Sequence, residues 1–248
     1  MCFELDSSPP IPPIAGAAVS HEDLALEAAD GNRFAAFAAA PDQPATTGVV
    51  VLPDVRGLYR FYEELALRFA ERGIAAIAFD YFGRTAGVAK RDDDFSYMEH
   101  VEQTDPATIQ LDVGAAVAWL REHGVASVYT VGFCFGGRHS WLSTAGGHDL
   151  AGAVGFYGSL GWRGDWPGPL ERAAELKGPI LALQAGDDAN ITAEQNAAFD
   201  EALTVAGVEH EIVTYEGAPH SFFDRKQADF AEASEDAWKR VLAFVRAG

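Results

Sequence analysis

Apolar residues along this chain recur in two alternating spacings. Short continuous runs at 48–52 (GVVVL), 74–79 (IAAIAF) and 179–184 (PILALQ) are bounded by turn residues, as in strands buried on both faces. Between them the apolar positions fall at helical intervals. Residues 59–72 carry Phe61, Leu65 and Phe69 and stop at Gly73; 106–123 and 193–206 are further helices, the second closed by Gly207. A long terminal helix over 228–247 sets Phe230, Trp238, Val241 and Val245 on one side. Residues 24–27 and 34–40 flank an Asp-Gly-Asn turn and predict an antiparallel hairpin. Further strands are expected from near Val128, at 153–156 and at 209–215, while 80–104 reads as a charged loop.

Strands alternating with helices predict an α/β fold: a mostly parallel central sheet with helices on both faces. Residues 1–20 read as a Pro-rich arm lying on the surface, and 21–248 as a single domain. In such sheets, reactive groups gather at the carboxyl ends of strands. Polar residues stand at several predicted strand ends: Asp54 and Arg56, Asp80 and Arg84, Asp187 and Asp188, and His220.

Composition narrows the function classes. A net charge of −19, from 18 basic against 37 acidic residues, opposes nucleic acid or an anionic membrane as partner. It also repels an anionic small molecule unless the pocket brings its own arginine. Two cysteines, Cys2 and Cys134, make no disulfide framework. The first residues lack a basic stretch followed by an apolar one, so a cytoplasmic location without a signal peptide is expected. The run Asp92-Asp93-Asp94 has no histidine or cysteine ligands nearby and reads as a solvated loop, and Asn190-Ile191-Thr192 as a chance sequon. No metal and no organic cofactor is expected.

The chemistry centres on 128–137, VYTVGFCFGG, where a β-branched run breaks at glycines and passes into a helix. Gly132-Phe133-Cys134-Phe135-Gly136 is a G-x-nucleophile-x-G turn with cysteine as the nucleophile. The competing reading is a buried structural cysteine. A thiol needs a base, and among the seven histidines His220 follows the last predicted strand, in the order nucleophile, acid, histidine. The acid should follow strand 179–184, where Asp188 is favoured over its neighbour Asp187. Two N–H groups should hold an oxyanion: that of Phe135, after the nucleophile, and that of Val55, after strand 48–52. Tyr157 and Trp162, after the next strand, line the pocket or pack the core.

With these residues in place, the chain resembles the dienelactone hydrolase family of the α/β-hydrolase fold, from about Leu24 to Phe244. Asp54, in LPDVRG, stands where that family has a glutamate contacting the resting thiol. Arg84, in YFGRTAG, matches an arginine that binds a substrate carboxylate, and PHSF at 219–222 matches the histidine motif. A second substrate arginine of the family falls at Asp224, with Arg225 one residue on as the candidate. Arg138 and His139 replace the small residues usual after the nucleophile.

The resemblance implies a thiol hydrolase of ester or lactone bonds acting on activated substrates such as enol lactones. The triad would be Cys134, His220 and Asp188, and a substrate carboxylate would meet Arg84. The partner is then a small ester or lactone, and the protein a monomer or small homo-oligomer. The alternatives are a general carboxylesterase on neutral esters, or a non-catalytic or redox-sensing relative.

Overall fold

The computed structural model describes residues 4, 6–91 and 94–246. Asp92 and Asp93 of the acidic run, and Cys2, lie outside the described residues. Strands β1 (Val19–Glu27), β2 (Arg33–Pro41), β3 (Thr47–Leu52), β4 (Ala75–Phe79), β5 (Ser127–Phe133), β6 (Gly152–Phe156), β7 (Ile180–Asp187) and β8 (His210–Pro219) form one sheet. Its order is β1-β2-β4-β3-β5-β6-β7-β8. The hairpin β1–β2 is antiparallel and joins antiparallel to β4; every other neighbouring pair is parallel. The parallel pairs require crossovers, supplied by helices α1 (Arg60–Ala70), α2 (Gly83–Ala86), α3 (Tyr97–Val101), α4 (Pro106–Glu122), α5 (Phe135–Ser143) and α6 (Ala193–Ala206), before the terminal α7 (Ala231–Arg246).

Side-chain alternation divides the central strands between two cores. Val49, Val51, Ala76 and Ala78 pack with Phe61, Leu65 and Phe69 of α1 and Val241 of α7. Val50, Leu52, Ile77 and Phe79 face the other way, onto Ile109, Val113 and Leu120 of α4. Runs that are apolar at every position are therefore buried on both faces. Each Val, Leu, Ile or Phe among them contributes roughly 1.5–3 kcal/mol when fully buried.

Local signals set the helix ends. Asp105 caps α4, its carboxylate accepting the Ala107 N–H at 2.8 Å, with Pro106 in the first turn. Thr192 and Gln195 form a capping box on α6, which Gly207 ends in the left-handed region.

Three expectations are corrected. The charged stretch 80–104 contains α2 and α3, whose few residues are too short to show a helical period. Strand β1 begins at Val19, so the hairpin reaches into the predicted arm. The arm itself is pinned: Ser7 and Ile11 are buried, and Ile11 joins the α1–α7 core. The Arg225 N–H donates to the Ser8 carbonyl at 3.0 Å, and the Lys226 ammonium pairs with Glu4 and Asp6.

Candidate active site

Strand β5 ends at Phe133 and α5 begins at Phe135, leaving Cys134 alone at the bend. Its φ of 55° and ψ of −111° lie in a region that non-glycine residues seldom occupy. The bend closes only because its neighbours are glycines. A Cβ on Gly132 would overlap the Gly136 carbonyl, and one on Gly136 would strike the carbonyls of Leu52 and Pro53. The Cys134 N–H is held by the Phe156 carbonyl at 3.0 Å, so adjacent strand β6 fixes the turn. Cys134 thus stands at the N-terminal end of α5.

His220 lies just beyond β8, and Asp188 just beyond β7. Their pairing in the parallel register brings the two residues together across 32 positions of sequence. His220 Nδ1 and Asp188 Oδ2 are 2.5 Å apart. Asp188 Oδ1 accepts the Asn190 N–H at 2.9 Å, which fixes the second carboxylate oxygen. Burial pushes the Asp188 carboxyl up, but the His220 and Asn190 hydrogen bonds outweigh it and hold the group below the usual carboxylate range. Asp187, the other carboxylate considered, is exposed and sits in the β7 ladder opposite Pro219.

Cys134, His220, Phe135, Val55 and Tyr157 all line one cavity of about 290 Å³. Among the described residues, the N–H groups of Phe135 and Val55 donate to no other group, so both are open to a ligand. Tyr157 is wholly buried, with φ 37°, and its ring lies 4.9 Å from that of His220. It both packs the core and backs the imidazole. Ser221, directly after His220, is a further non-glycine residue at positive φ, 65°. Strained backbone thus occurs at three residues in or beside this cavity, as expected where side-chain aim overrides local preference.

Asp54 is fully buried beside the nucleophile's turn. Oδ1 accepts the Arg56 N–H at 2.9 Å, while Oδ2 accepts the Tyr59 hydroxyl at 3.3 Å and lies 3.5 Å from the Arg56 guanidinium. Tyr81 donates to the Pro53 carbonyl at 2.8 Å. Burial, and then the charges of Asp54, Asp80 and Cys134, push its phenol far above the usual range, so it stays neutral.

The two arginines expected to meet a substrate carboxylate, Arg84 and Arg225, both stand outside this cavity. Arg84 does not line the cavity. Its guanidinium is taken by Asp112 at 2.6 Å and Asp30 at 2.8 Å, two carboxylates remote in sequence, and it ties the β1–β2 turn to α4. Arg225 is exposed and lines a surface groove with Pro9, Ile11 and Pro13 of the arm. Asp224 faces the arm as well, its carboxylate accepting the N–H groups of Ser8 and Lys226. Trp162 is 62 % exposed and does not line the cavity.

Sequence reasoning missed Ser159, Arg163, Asn190 and Ile191, which complete the cavity wall. The first two lie on the loop after β6, where no motif marks them.

The two unusual residues after the nucleophile are both buried. Arg138 reaches out of α5 to bind the carbonyls of Gly161, Trp166 and Pro167, anchoring that same loop. His139 is 2 % exposed, and its Nδ1 has no partner among the described residues. Burial first, then the positive charges of Arg138 and Arg163, lower its pKa to about 3. Between that value and the unfolded value of about 6.5, the unfolded chain binds a proton that the folded one refuses. Stability therefore rises with pH across this window, at up to about 1.4 kcal/mol per unit from this group. Urea unfolding of His139→Phe at pH 4.5 and pH 7 should show a smaller loss on acidification than the parent; an equal loss would refute this account.

The dienelactone hydrolase family profile matches residues 34–247. The chain belongs to the dienelactone hydrolase family. It is 31 % identical over 227 residues to a Yersinia pestis protein named "Putative carboxymethylenebutenolidase", covering 86 % of this chain and 83 % of that one. An Escherichia coli K12 protein of the same name is 28 % identical over 256 residues, covering 96 % and 94 %. A crystal structure described as "Putative Dienelactone Hydrolase" from Klebsiella pneumoniae superposes with a TM-score of 0.81 at 27 % identity, over 92 % of this chain and 99 % of that one. The fold is thus that of the α/β-hydrolases, and this family member is a hydrolase of ester or lactone bonds. None of its described helices is long and apolar enough to cross a membrane.

Proposed function

We propose that this dienelactone hydrolase relative is a carboxymethylenebutenolidase-type enzyme that opens lactones and activated esters through a Cys134–His220–Asp188 triad. In this reading the Cys134 thiolate attacks the carbonyl carbon. The N–H groups of Phe135 and Val55 receive the negative charge that develops on oxygen, an interaction of about 3 kcal/mol per donor. His220 takes up the thiol proton and delivers it to the departing oxygen; Asp188 holds the imidazole tautomer and stabilises the imidazolium. Collapse, with that proton transferred, releases the alcohol or enol and leaves a thioester on Cys134, with His220 neutral again. Water, deprotonated by His220, then attacks the thioester, releases the acid and returns the sulfur to its resting state.

The observation that carries this reading is the 2.5 Å contact of His220 with Asp188 at the edge of the cavity that also holds Cys134. A second supports the nucleophile: Cys134 occupies a strained bend that a purely structural cysteine would not require. The open donors of Phe135 and Val55 favour acyl transfer over a redox-sensing thiol, because oxidation needs no oxyanion site.

Rapid acid quench after mixing with 4-nitrophenyl acetate tests the reading. Peptide mass analysis should find an acetyl thioester on the fragment containing Cys134, formed with a burst of nitrophenolate. Turnover with no adduct on that fragment, or with the acetyl group on another side chain, would overturn it.

A further inference from the structure

The cavity at Cys134 has an unusual charge pattern for so acidic a chain. Among its lining residues there is no carboxylate, and Arg163 supplies the one permanent positive charge. The Arg163 guanidinium forms no ion pair or side-chain hydrogen bond among the described residues, although the chain carries 37 acidic side chains. It lies instead over the Phe135 ring, 4.9 Å from the centroid. Phe135 is the residue next to the nucleophile. Arg163, Phe135 and Cys134 all line the same cavity.

The position of Arg163 is built rather than loose. Its N–H and carbonyl exchange hydrogen bonds with Trp166 at 2.9 and 3.1 Å. The same short loop is gripped by the buried guanidinium of Arg138, through the carbonyls of Gly161, Trp166 and Pro167. Arg138 belongs to α5, so the nucleophile and the loop carrying Arg163 share one rigid support. Arg163 also lines a second cavity, of about 230 Å³, shared with Phe135, Arg138, His139 and Glu102.

We propose that Arg163 is the specificity-determining residue of this site, selecting esters and lactones whose acyl part carries an anionic group, with the acyl chain lying along the Phe135 ring. The inference rests on the hydrolase reading above. It gives to Arg163 the task that Arg84, closed off by Asp30 and Asp112, is not placed to perform. A carboxylate at the distal end of the acyl chain would meet a guanidinium able to form charge-assisted hydrogen bonds, in a cavity with no carboxylate to oppose it.

The test compares mono-4-nitrophenyl adipate with its neutral methyl ester, following nitrophenolate release by the parent, Arg163→Met and Arg163→Lys. Arg163→Met should lower kcat/KM for the monoacid about tenfold or more, mainly through KM, and change the methyl ester by less than about twofold. Arg163→Lys, which keeps the charge, should recover part of the loss. Equal effects of Arg163→Met on both esters, or no effect on either, would overturn the inference while leaving the hydrolase reading intact. A parent enzyme that hydrolyses only the methyl ester would do the same. A parent that releases nitrophenolate from neither ester would overturn the hydrolase reading, and this inference with it.

Discussion

Cys134→Ala should lower kcat/KM for an activated aryl ester by about ten-thousand-fold, leaving only the residual rate that an oxyanion site gives without a nucleophile. Its magnitude follows from how much of the proposed mechanism passes through one atom. With the sulfur gone, no thioester forms, and His220 has no proton to take from the nucleophile. Alanine at this strained bend keeps a Cβ where the cysteine has one, so the glycine contacts around the turn are unchanged. The variant should therefore melt close to the parent temperature. Full esterase activity in a folded Cys134→Ala protein would place the chemistry elsewhere.

Asp188→Asn is expected to cost roughly a thousand- to ten-thousand-fold in kcat, with little change in KM. The carboxylate accepts from two sides at once: His220 Nδ1 at 2.5 Å and the Asn190 N–H at 2.9 Å. An amide has one oxygen for these two donors. If the oxygen goes to Asn190, its NH2 group faces His220 and selects the tautomer with the proton on Nε2, which cannot accept one from the thiol. Because the Asp188 carboxyl is held below its ordinary range, the folded parent also gains stability from this group above the unfolded carboxyl pKa, and loses it as pH falls through the folded value. Asp188→Asn should lack that acid-sensitive component. A variant retaining more than about a tenth of parental kcat would show that His220 is oriented by something else.

The parts of this protein legible in its sequence share one property: their cause is local. The bend at Cys134 is written in glycines two residues to either side, and α6 in a cap at Thr192 and a stop at Gly207. Buried strands such as β3 and β4 could be recognised because both faces are covered, which leaves no polar alternation. The meeting of Asp188 with His220 was legible because each follows a strand whose carboxyl end the topology directs to the same edge.

What escaped was set by groups far apart in the chain. Arg84 stands in a motif that resembles a substrate-binding one, yet Asp30 and Asp112 are 54 and 28 positions away and neutralise it. Arg225 has the right place in the sequence order, but the loop that carries it is bound by Ser8 of the arm, and its side chain joins the arm's groove. Arg163 lies on a loop whose shape depends on a buried arginine from another element, and a single arginine without a motif gives no local signal.

The pinned arm has a practical consequence for anyone trimming this protein. Glu4, Asp6 and Ser8 hold the stretch that runs on directly from His220 through Phe222 and Phe223. Deleting the first dozen or so residues to tidy an expression vector would also strip Ile11 from the apolar interior. Weak turnover by such a shortened protein would then report a slack imidazole rather than a poor choice of substrate.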